Sequence, residues 1–228
     1  MIGDGSEPGY ADETVCGMPV SISSDEGSAS NSETLRAYEA HVQEYIDGTS
    51  HTVAGAVKDW IDAALAGLAP DARLVELGSA FGRDAAYIAS KGFEIECTDA
   101  VAGFVSRLQT KGFKARRFNA ITDDLSGEYD LILANAVMVH FTRTEFASVL
   151  EKLLHSLKRG GRLAFSLKRG QGEAWSTEKL SAPRYFCYWE RKDLEPLLGK
   201  SGFAGWTIEE ALTKRAHAEW LFVVASAP

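Results

Sequence analysis

The chain has 228 residues, of which 45% are hydrophobic, and a formal net charge of −8. This length fits one domain with an appendage better than two domains. No window holds the roughly 18 consecutive apolar residues that a membrane span needs, and the N-terminus lacks the basic and apolar regions of a secretory signal. The sequence therefore predicts a soluble, cytoplasmic protein with no membrane partner.

Charge is unevenly distributed along the chain. Residues 1–34 contain seven acidic residues and no Lys or Arg, whereas residues 152–192 contain ten basic residues and three acidic ones. The polar composition of residues 1–32 predicts a disordered acidic leader, unless translation starts at Met18 or later. The basic stretch could face an anion. The three cysteines are far apart and lack the spacing of metal ligands, so we expect free thiols and no metal site.

A helical segment is expected to come first in the folded part, which we take as residues 33–228. Apolar residues recur at three- and four-residue spacing from Glu33 to Gly48, and again from Val53 to Leu68, just before Pro70. These two predicted helices form an N-terminal helical lid over residues 33–69.

Strands and helices are expected to alternate from Arg73 onward. The predicted strands cover 73–77, 93–98, 113–118, 129–134 and 162–167, and the predicted helices cover 83–91, 101–111, 144–158 and 191–200. Two further strands, 203–211 and 218–225, are separated by a short polar segment and must form a hairpin. The pattern predicts an α/β fold: a Rossmann-like seven-stranded, mostly parallel sheet with an antiparallel last strand and helices on both faces.

The first of these strands ends in the turn of "LVELGSAFGRD", residues 74–84. Small residues there allow the backbone to approach a ligand, at the sheet edge where open parallel sheets bind ligands. No Lys-Ser or Lys-Thr follows a glycine, so the turn is not a P-loop. Arg83 occupies the place of the last small residue of a dinucleotide fingerprint, which disfavours NAD.

The turn resembles motif I of the class I S-adenosylmethionine-dependent methyltransferases. It matches the pattern acid-x-Gly-x-small-x-Gly through Glu76, Gly78, Ala80 and Gly82, and Asp99 follows at the end of the second strand. The resemblance extends from residue 38 to residue 227 and implies an enzyme that uses S-adenosylmethionine. Ala80 replaces the commoner middle glycine of the family.

The resemblance also implies roles for individual cofactor-binding residues. Asp99 would hold the ribose hydroxyls, Glu76 would organise the turn and the methionine amino group, and Asn135 would offer its backbone carbonyl to that group. Asn119 stands where the family often has an aspartate, but an amide can still bind the adenine edge. The remaining expected contacts are Tyr38 over the methionine part, the small turn residues Gly78, Ala80 and Gly82, and the adenine neighbours Ala100, Val101 and Ala120.

The acceptor side is less specific. His140 follows the fourth strand and could take a proton from a hydroxyl or thiol acceptor. Cations beside aromatic residues between the fifth strand and the next helix suit an anionic or aromatic small molecule. The predicted substrate-binding residues are Lys168, Arg169, Arg184, Tyr185 and Tyr188. A nucleic acid is not the expected partner, because residues 135–138 lack the asparagine-proline-proline-aromatic signature of DNA methyltransferases.

Three alternatives remain open at this point. The basic stretch 152–192 could bind RNA or a protein side chain as the methyl acceptor. The domain could also bind S-adenosylmethionine without catalysis. A nicotinamide enzyme is the third alternative.

Overall fold

The computed structural model describes residues 27–213 and 218–228. Most of the predicted acidic leader therefore lies outside the described residues. Its predicted boundary at residue 32 is wrong, because the first helix already begins at Ala29. Ser28 caps this helix by accepting a hydrogen bond from the backbone N–H of Asn31 at 3.2 Å, which is the usual stabilisation of an orphan N–H.

The N-terminal segment contains three helices instead of the predicted two. They are α1 (Ala29–Ala40), α2 (Val42–Asp47) and α3 (Gly55–Leu65). The helix expected from Glu33 to Gly48 is interrupted at His41, where φ is −127°. The side chain of His41 contacts its own helix, with Nδ1 lying 2.8 Å from the carbonyl oxygen of Ala37. The non-helical backbone at His41 therefore divides the expected helix into α1 and α2.

The alternation of strands and helices follows the prediction closely. The strands are β1 (Leu74–Leu77), β2 (Ile95–Asp99), β3 (Ala115–Arg117), β4 (Tyr129–Ala134), β5 (Leu157–Lys168), β6 (Glu173–Ser176), β7 (Arg184–Cys187), β8 (Gly205–Thr213) and β9 (Ala218–Ser226). The later helices are α4 (Arg83–Ser90), α5 (Ala102–Thr110), α6 (Arg143–His155) and α7 (Arg191–Lys200), with a 3₁₀ turn at Met138–His140. The hairpin of β6 and β7 was not predicted.

The main sheet has the predicted form. Its seven strands lie in the order β3-β2-β1-β4-β5-β9-β8, and β9 runs antiparallel to both neighbours, whereas the other strands are parallel to one another. Leu74 of β1 pairs with Ile95 of β2 on one side and with Leu131 of β4 on the other. Strand order therefore reverses beside β1, and a ligand crevice is expected beyond its carboxyl end.

Apolar residues cover both faces of the sheet. On one face α6 and α7 contribute Phe146 and Leu194 to the core, and on the other α3 and α4 contribute Trp60 and Ile88. Trp60 also donates an indole hydrogen bond to the carbonyl of Val223 at 2.9 Å. Among the described residues, no helix is long and apolar enough to cross a membrane. The packed sheet thus holds the carboxyl edges of β1, β2 and β4 in fixed relative positions.

Candidate active site

The glycine turn after β1 has an unusual backbone conformation. Gly78, Ala80 and Gly82 all have positive φ, at 66°, 47° and 84°. A side chain is disfavoured in this region, so Ala80 is strained where glycine would not be. Gly82 was predicted to allow close approach of the cofactor, but its surroundings are other side chains of the protein. A Cβ there would lie 2.9 Å from side-chain atoms of Leu108 and Phe113, so this glycine allows close packing instead.

Gly78 is the turn residue with the tightest surroundings. A Cβ at this position would overlap Cγ2 of Val137, which belongs to the loop after β4. We expect Gly78→Ala to destabilise the fold by about 1–2 kcal/mol through its positive φ, and by roughly 1–3 kcal/mol more through the overlap. Urea denaturation measures both.

Gly160 provides the matched control for this prediction. Its φ of 71° is similar, but a Cβ there meets no atom within 4 Å, so Gly160→Ala should show the backbone cost alone. Adding Val137→Ala to Gly78→Ala should restore part of the stability. Equal losses of unfolding free energy in Gly78→Ala and Gly160→Ala would show that the contact with Val137 does not contribute to the destabilisation.

Asp99 connects the turn to the end of β2. Its carboxylate accepts hydrogen bonds from the backbone N–H groups of Ala80 and Val101, both at 2.9 Å. The side chain is only 6% exposed, and burial raises the pKa of Asp99 to about 6, although the two backbone hydrogen bonds oppose the shift. The group is therefore mostly ionised at neutral pH and can accept further hydrogen bonds.

A second buried acid lies at the end of β1. Glu76 is 2% exposed and its Oε2 has no hydrogen-bond partner. Burial raises the pKa of Glu76, and the negative charge of Asp84 raises it further. Asp84 itself is paired, because Arg83 donates to it at 2.6 Å and Asn135 at 2.7 Å. Glu76 is thus an unsatisfied acid next to a fixed and neutralised pair.

Two cavities meet at this edge of the sheet. The narrow cavity, of about 90 Å³, has Asp99 and further predicted cofactor residues in its walls, among them Ala100, Val101, Asn119 and Ala120. The wide cavity, of about 490 Å³, extends from Glu76 toward β7. Both cavities are lined by Tyr38, Tyr45, Gly78, Ala80, Asn135, Ala136 and His140. They are therefore two parts of one crevice.

Helix α1 closes the narrow cavity. Asn31 accepts a hydrogen bond from the amide of Asn119 at 2.9 Å, so the residue predicted to bind an adenine edge is held by α1 in this structure. Glu39 accepts from the backbone N–H groups of Ala102 and Gly103, at the start of α5. Sequence reasoning missed Asn31, because it fell within the predicted leader. The capping serine at position 28 is the signal that could have indicated a helix there.

His140 lies at the junction of the two cavities, in a chain of hydrogen bonds. Its Nδ1 is 2.6 Å from the carbonyl oxygen of Tyr185, which can only accept, so Nδ1 carries the proton. In the neutral ring Nε2 then accepts from the Tyr38 hydroxyl at 2.9 Å. Arg184 donates to the same hydroxyl at 3.3 Å. Burial lowers the pKa of His140 to about 4, so the ring is neutral at physiological pH.

The predicted substrate-binding residues divide into two groups. Lys168 and Arg184 line the wide cavity together with Phe186. Arg169 and Tyr188 line neither cavity: Arg169 makes ion pairs with Glu190, Glu210 and Glu219, and Tyr188 packs against the core.

Tyr185 is a further correction. Its side chain is buried and lies edge-on to Trp175 of β6, with ring centroids 5.7 Å apart. Its contribution to the crevice is the backbone carbonyl that accepts from His140. The hairpin of β6 and β7 therefore orients the histidine ring, and Tyr185 does not line the cavities.

Comparison with known proteins identifies relatives of this arrangement. A sequence profile described as a methyltransferase domain matches residues 49–208, more than half of the chain. The solved structure of Burkholderia thailandensis 1,6-didemethyltoxoflavin-N1-methyltransferase, with 1,6-didemethyltoxoflavin and S-adenosylhomocysteine bound, is 20% identical. The comparison covers 97% of this chain and 99% of that one, with a TM-score of 0.67.

Two other solved structures have the same fold. Haemonchus contortus phosphoethanolamine N-methyltransferase 2 in complex with S-adenosylmethionine is 12% identical, with a TM-score of 0.64, and the comparison covers 83% of this chain and 57% of that one. Magnesium protoporphyrin IX methyltransferase from Synechocystis, with the same cofactor bound, is 16% identical, with a TM-score of 0.58. The comparison covers 89% of this chain and 86% of that one. No curated protein sequence matches the chain.

Proposed function

The chain belongs to the S-adenosylmethionine-dependent methyltransferases, and on that premise we propose that its methyl acceptor is a small molecule. The observation that carries this proposal is the size and lining of the crevice. The wide cavity, of about 490 Å³, is lined by Tyr38 and Tyr45 of the lid and by Phe186 of β7. A concave, partly apolar cavity of this order suits a small ligand.

Two buried acids of the crevice fit the cofactor. Asp99 is an acceptor in the narrow cavity, where hydrogen-bond donors such as ribose hydroxyls can reach it. The unpartnered Oε2 of Glu76 suits the positively charged methionine end in the wide cavity. Gly78 and Ala80, shared by both cavities, present little side chain between these acids. When bound, the cofactor supplies an electrophilic methyl group on its sulfonium.

Alignment of the acceptor is the main contribution expected from the protein, because methyl transfer is an in-line displacement. We assign the role of general base to His140, acting through Tyr38. A proton leaving the acceptor moves to the Tyr38 hydroxyl oxygen, while the Tyr38 proton moves to Nε2 of His140. The carbonyl of Tyr185 holds the ring in the tautomer that can accept it. His140 is thus oriented and uncharged before the reaction begins.

The named acceptors of the solved relatives support a small molecule. Those relatives act on 1,6-didemethyltoxoflavin, phosphoethanolamine and magnesium protoporphyrin IX according to their names. The basic stretch 152–192 gives less support to an RNA acceptor, because several of its cations already have partners within the protein. Lys158 pairs with Asp130, Arg162 donates to backbone carbonyls, and Arg169 is engaged by three acids.

Cofactor binding should depend on pH through Asp99. A protonated carboxyl loses acceptor capacity, so affinity is present above the folded-state pKa of about 6 and lost as pH falls through it. We expect the affinity for S-adenosylhomocysteine to fall about tenfold between about pH 7.5 and about pH 5. Calorimetry at each pH measures this. Asp99→Asn should remove the Asp99 part of the dependence and leave the part due to Glu76, whose pKa is also raised. An unchanged affinity of the native protein across the range would contradict the prediction.

The proposed function is tested by measuring S-adenosylhomocysteine released from S-adenosylmethionine. The assay compares a panel of small hydroxyl, amine and carboxylic acid compounds with total RNA and with an unfolded protein substrate. We expect release with members of the small-molecule panel alone. Release with RNA or protein and with no small molecule would overturn the proposal. Cofactor binding without release on any acceptor would instead indicate a non-catalytic module.

A further inference from the structure

Arg184 is a buried cation without a counter-ion. Its side chain is 3% exposed, and its Nε has no hydrogen-bond partner. No ion pair within residues 27–213 and 218–228 includes this guanidinium, whose one side-chain hydrogen bond goes to the Tyr38 hydroxyl at 3.3 Å. Burying an unpaired charge is costly, and such groups are normally paired. Arg184 therefore lacks an anionic partner in the folded chain.

The other charged groups of the wide cavity do not supply that partner. Arg83 and Asp84 neutralise each other. Lys168 lies 4.2 Å from the ring centroid of Phe186, and Arg184 lies 5.2 Å from the same centroid. Burial and the charge of Arg184 lower the pKa of Lys168, whereas the charge of Glu178 raises it. Glu76, an acid on β1, also lines this cavity. Lys179 is a cation like Arg184, and its Nζ lies 4.1 Å from the ring centroid of Tyr45.

We propose that Arg184 and Lys168 bind an oxyanion, a carboxylate or phosphate group, of the methyl acceptor. This inference rests on the proposed function and specifies the class of its substrate. A guanidinium binds such groups through paired, charge-assisted hydrogen bonds. The apolar residues that line the same cavity, Val57, Phe186, Trp220 and Phe222, would contact the rest of the molecule.

The position of Arg184 connects anion binding to the reaction. Its Nη1 contacts the hydroxyl of Tyr38, which in turn donates to His140. An acceptor held by its oxyanion at Arg184 therefore lies next to the groups that receive its proton. The carboxylate of the cofactor is the competing occupant. The affinity for S-adenosylhomocysteine distinguishes the two occupants: it falls in Arg184→Gln if the arginine binds the cofactor carboxylate, and it is unchanged if the arginine binds the acceptor.

The test uses calorimetry on the full chain saturated with S-adenosylhomocysteine, at constant ionic strength. The probes are benzoate, inorganic phosphate and the neutral benzamide. We expect benzoate, phosphate or both to bind the native protein, and Arg184→Gln to weaken that binding about tenfold or more. Arg184→Lys should retain part of it. Arg159→Gln removes the same charge from an exposed position at the start of β5 and should change nothing.

Several results would overturn the inference. They are equal anion binding by Arg184→Gln and Arg159→Gln, benzamide binding as tight as benzoate binding, and no binding of either anion to a native chain that still binds S-adenosylhomocysteine. A loss of S-adenosylhomocysteine affinity in Arg184→Gln would assign the arginine to the cofactor. If the native chain binds no S-adenosylhomocysteine, the proposed function fails first.

Thermal melting separates this role from a structural one. Because the unpaired charge destabilises the ligand-free protein, Arg184→Gln should melt at the same temperature as the native chain or higher. Benzoate or phosphate should raise the melting temperature of the native chain and not that of the variant. A variant that melts well below the native chain would show that Arg184 stabilises the fold, which contradicts the inference.

Discussion

His140→Ala is expected to slow methyl transfer by about 10²–10⁴-fold, the usual contribution of a positioned general base. The variant removes Nε2, which accepts the Tyr38 proton at 2.9 Å. Tyr38→Phe should slow the reaction as well, because it removes the hydroxyl that connects the acceptor to the ring. The rate of S-adenosylhomocysteine release, with whichever acceptor of the panel reacts fastest, measures both effects.

The pH profile provides a second test of this role. The pKa of His140 is lowered to about 4 by burial, and a base acts only when it is deprotonated. With S-adenosylmethionine saturating at every pH, the rate with a hydroxyl acceptor should therefore fall only as pH decreases through about 4, far below the usual histidine value near 6.5. His155→Ala is the matched control, since this histidine is exposed on α6. Near-normal turnover of His140→Ala would leave alignment as the whole mechanism.

Asp99→Ala is expected to weaken S-adenosylhomocysteine binding by about 1.5–3 kcal/mol, which is the range for hydrogen bonds to charged groups. The substitution removes the acceptor for the ribose and also leaves the N–H groups of Ala80 and Val101 without their partner. Calorimetry measures the change in affinity.

Two further variants serve as comparisons for Asp99→Ala. Asp99→Asn keeps one acceptor oxygen for the turn and loses the negative charge, so it should bind more weakly than the native chain but more tightly than Asp99→Ala. Asp124→Ala removes a carboxylate that is 84% exposed and should bind normally. A folded Asp99→Ala variant with native affinity would remove Asp99 from the cofactor site.

The sheet and the glycine turn were predictable because their signals are local. Apolar runs bounded by glycine marked β1 and β4, and β4 begins and ends at the predicted residues, Tyr129 and Ala134. The hairpin of β8 and β9 followed from a connection too short for a helix. Such patterns depend on neighbouring residues, so a single sequence reveals them.

The lid and the second hairpin were less predictable because tertiary contacts create them. Asn31 and Thr34 of α1 are polar but buried, and Thr34 accepts from the backbone N–H of Tyr185, 151 residues away in the chain. Nothing in the local pattern indicates that these residues are covered. The strands β6 and β7 have only four residues each, and β7 is buried through its contact with α1.

Side-chain direction explains why only some of the predicted substrate-binding residues line the wide cavity. Lys168 and Arg169 are adjacent, and both were predicted to bind the substrate. Successive side chains of an extended backbone point to opposite sides, so Lys168 faces the wide cavity while Arg169 reaches the three acids around it. The pairing of His140 with Tyr38 joins residues 102 positions apart, which spacing in the sequence does not reveal.

The most direct test of the whole account is calorimetry of the native chain with S-adenosylmethionine, S-adenosylhomocysteine and NAD. The account predicts micromolar binding of the first two, on the scale of about −8 kcal/mol, and no binding of NAD. Failure to bind either adenosyl compound, or binding of NAD in their place, would contradict it.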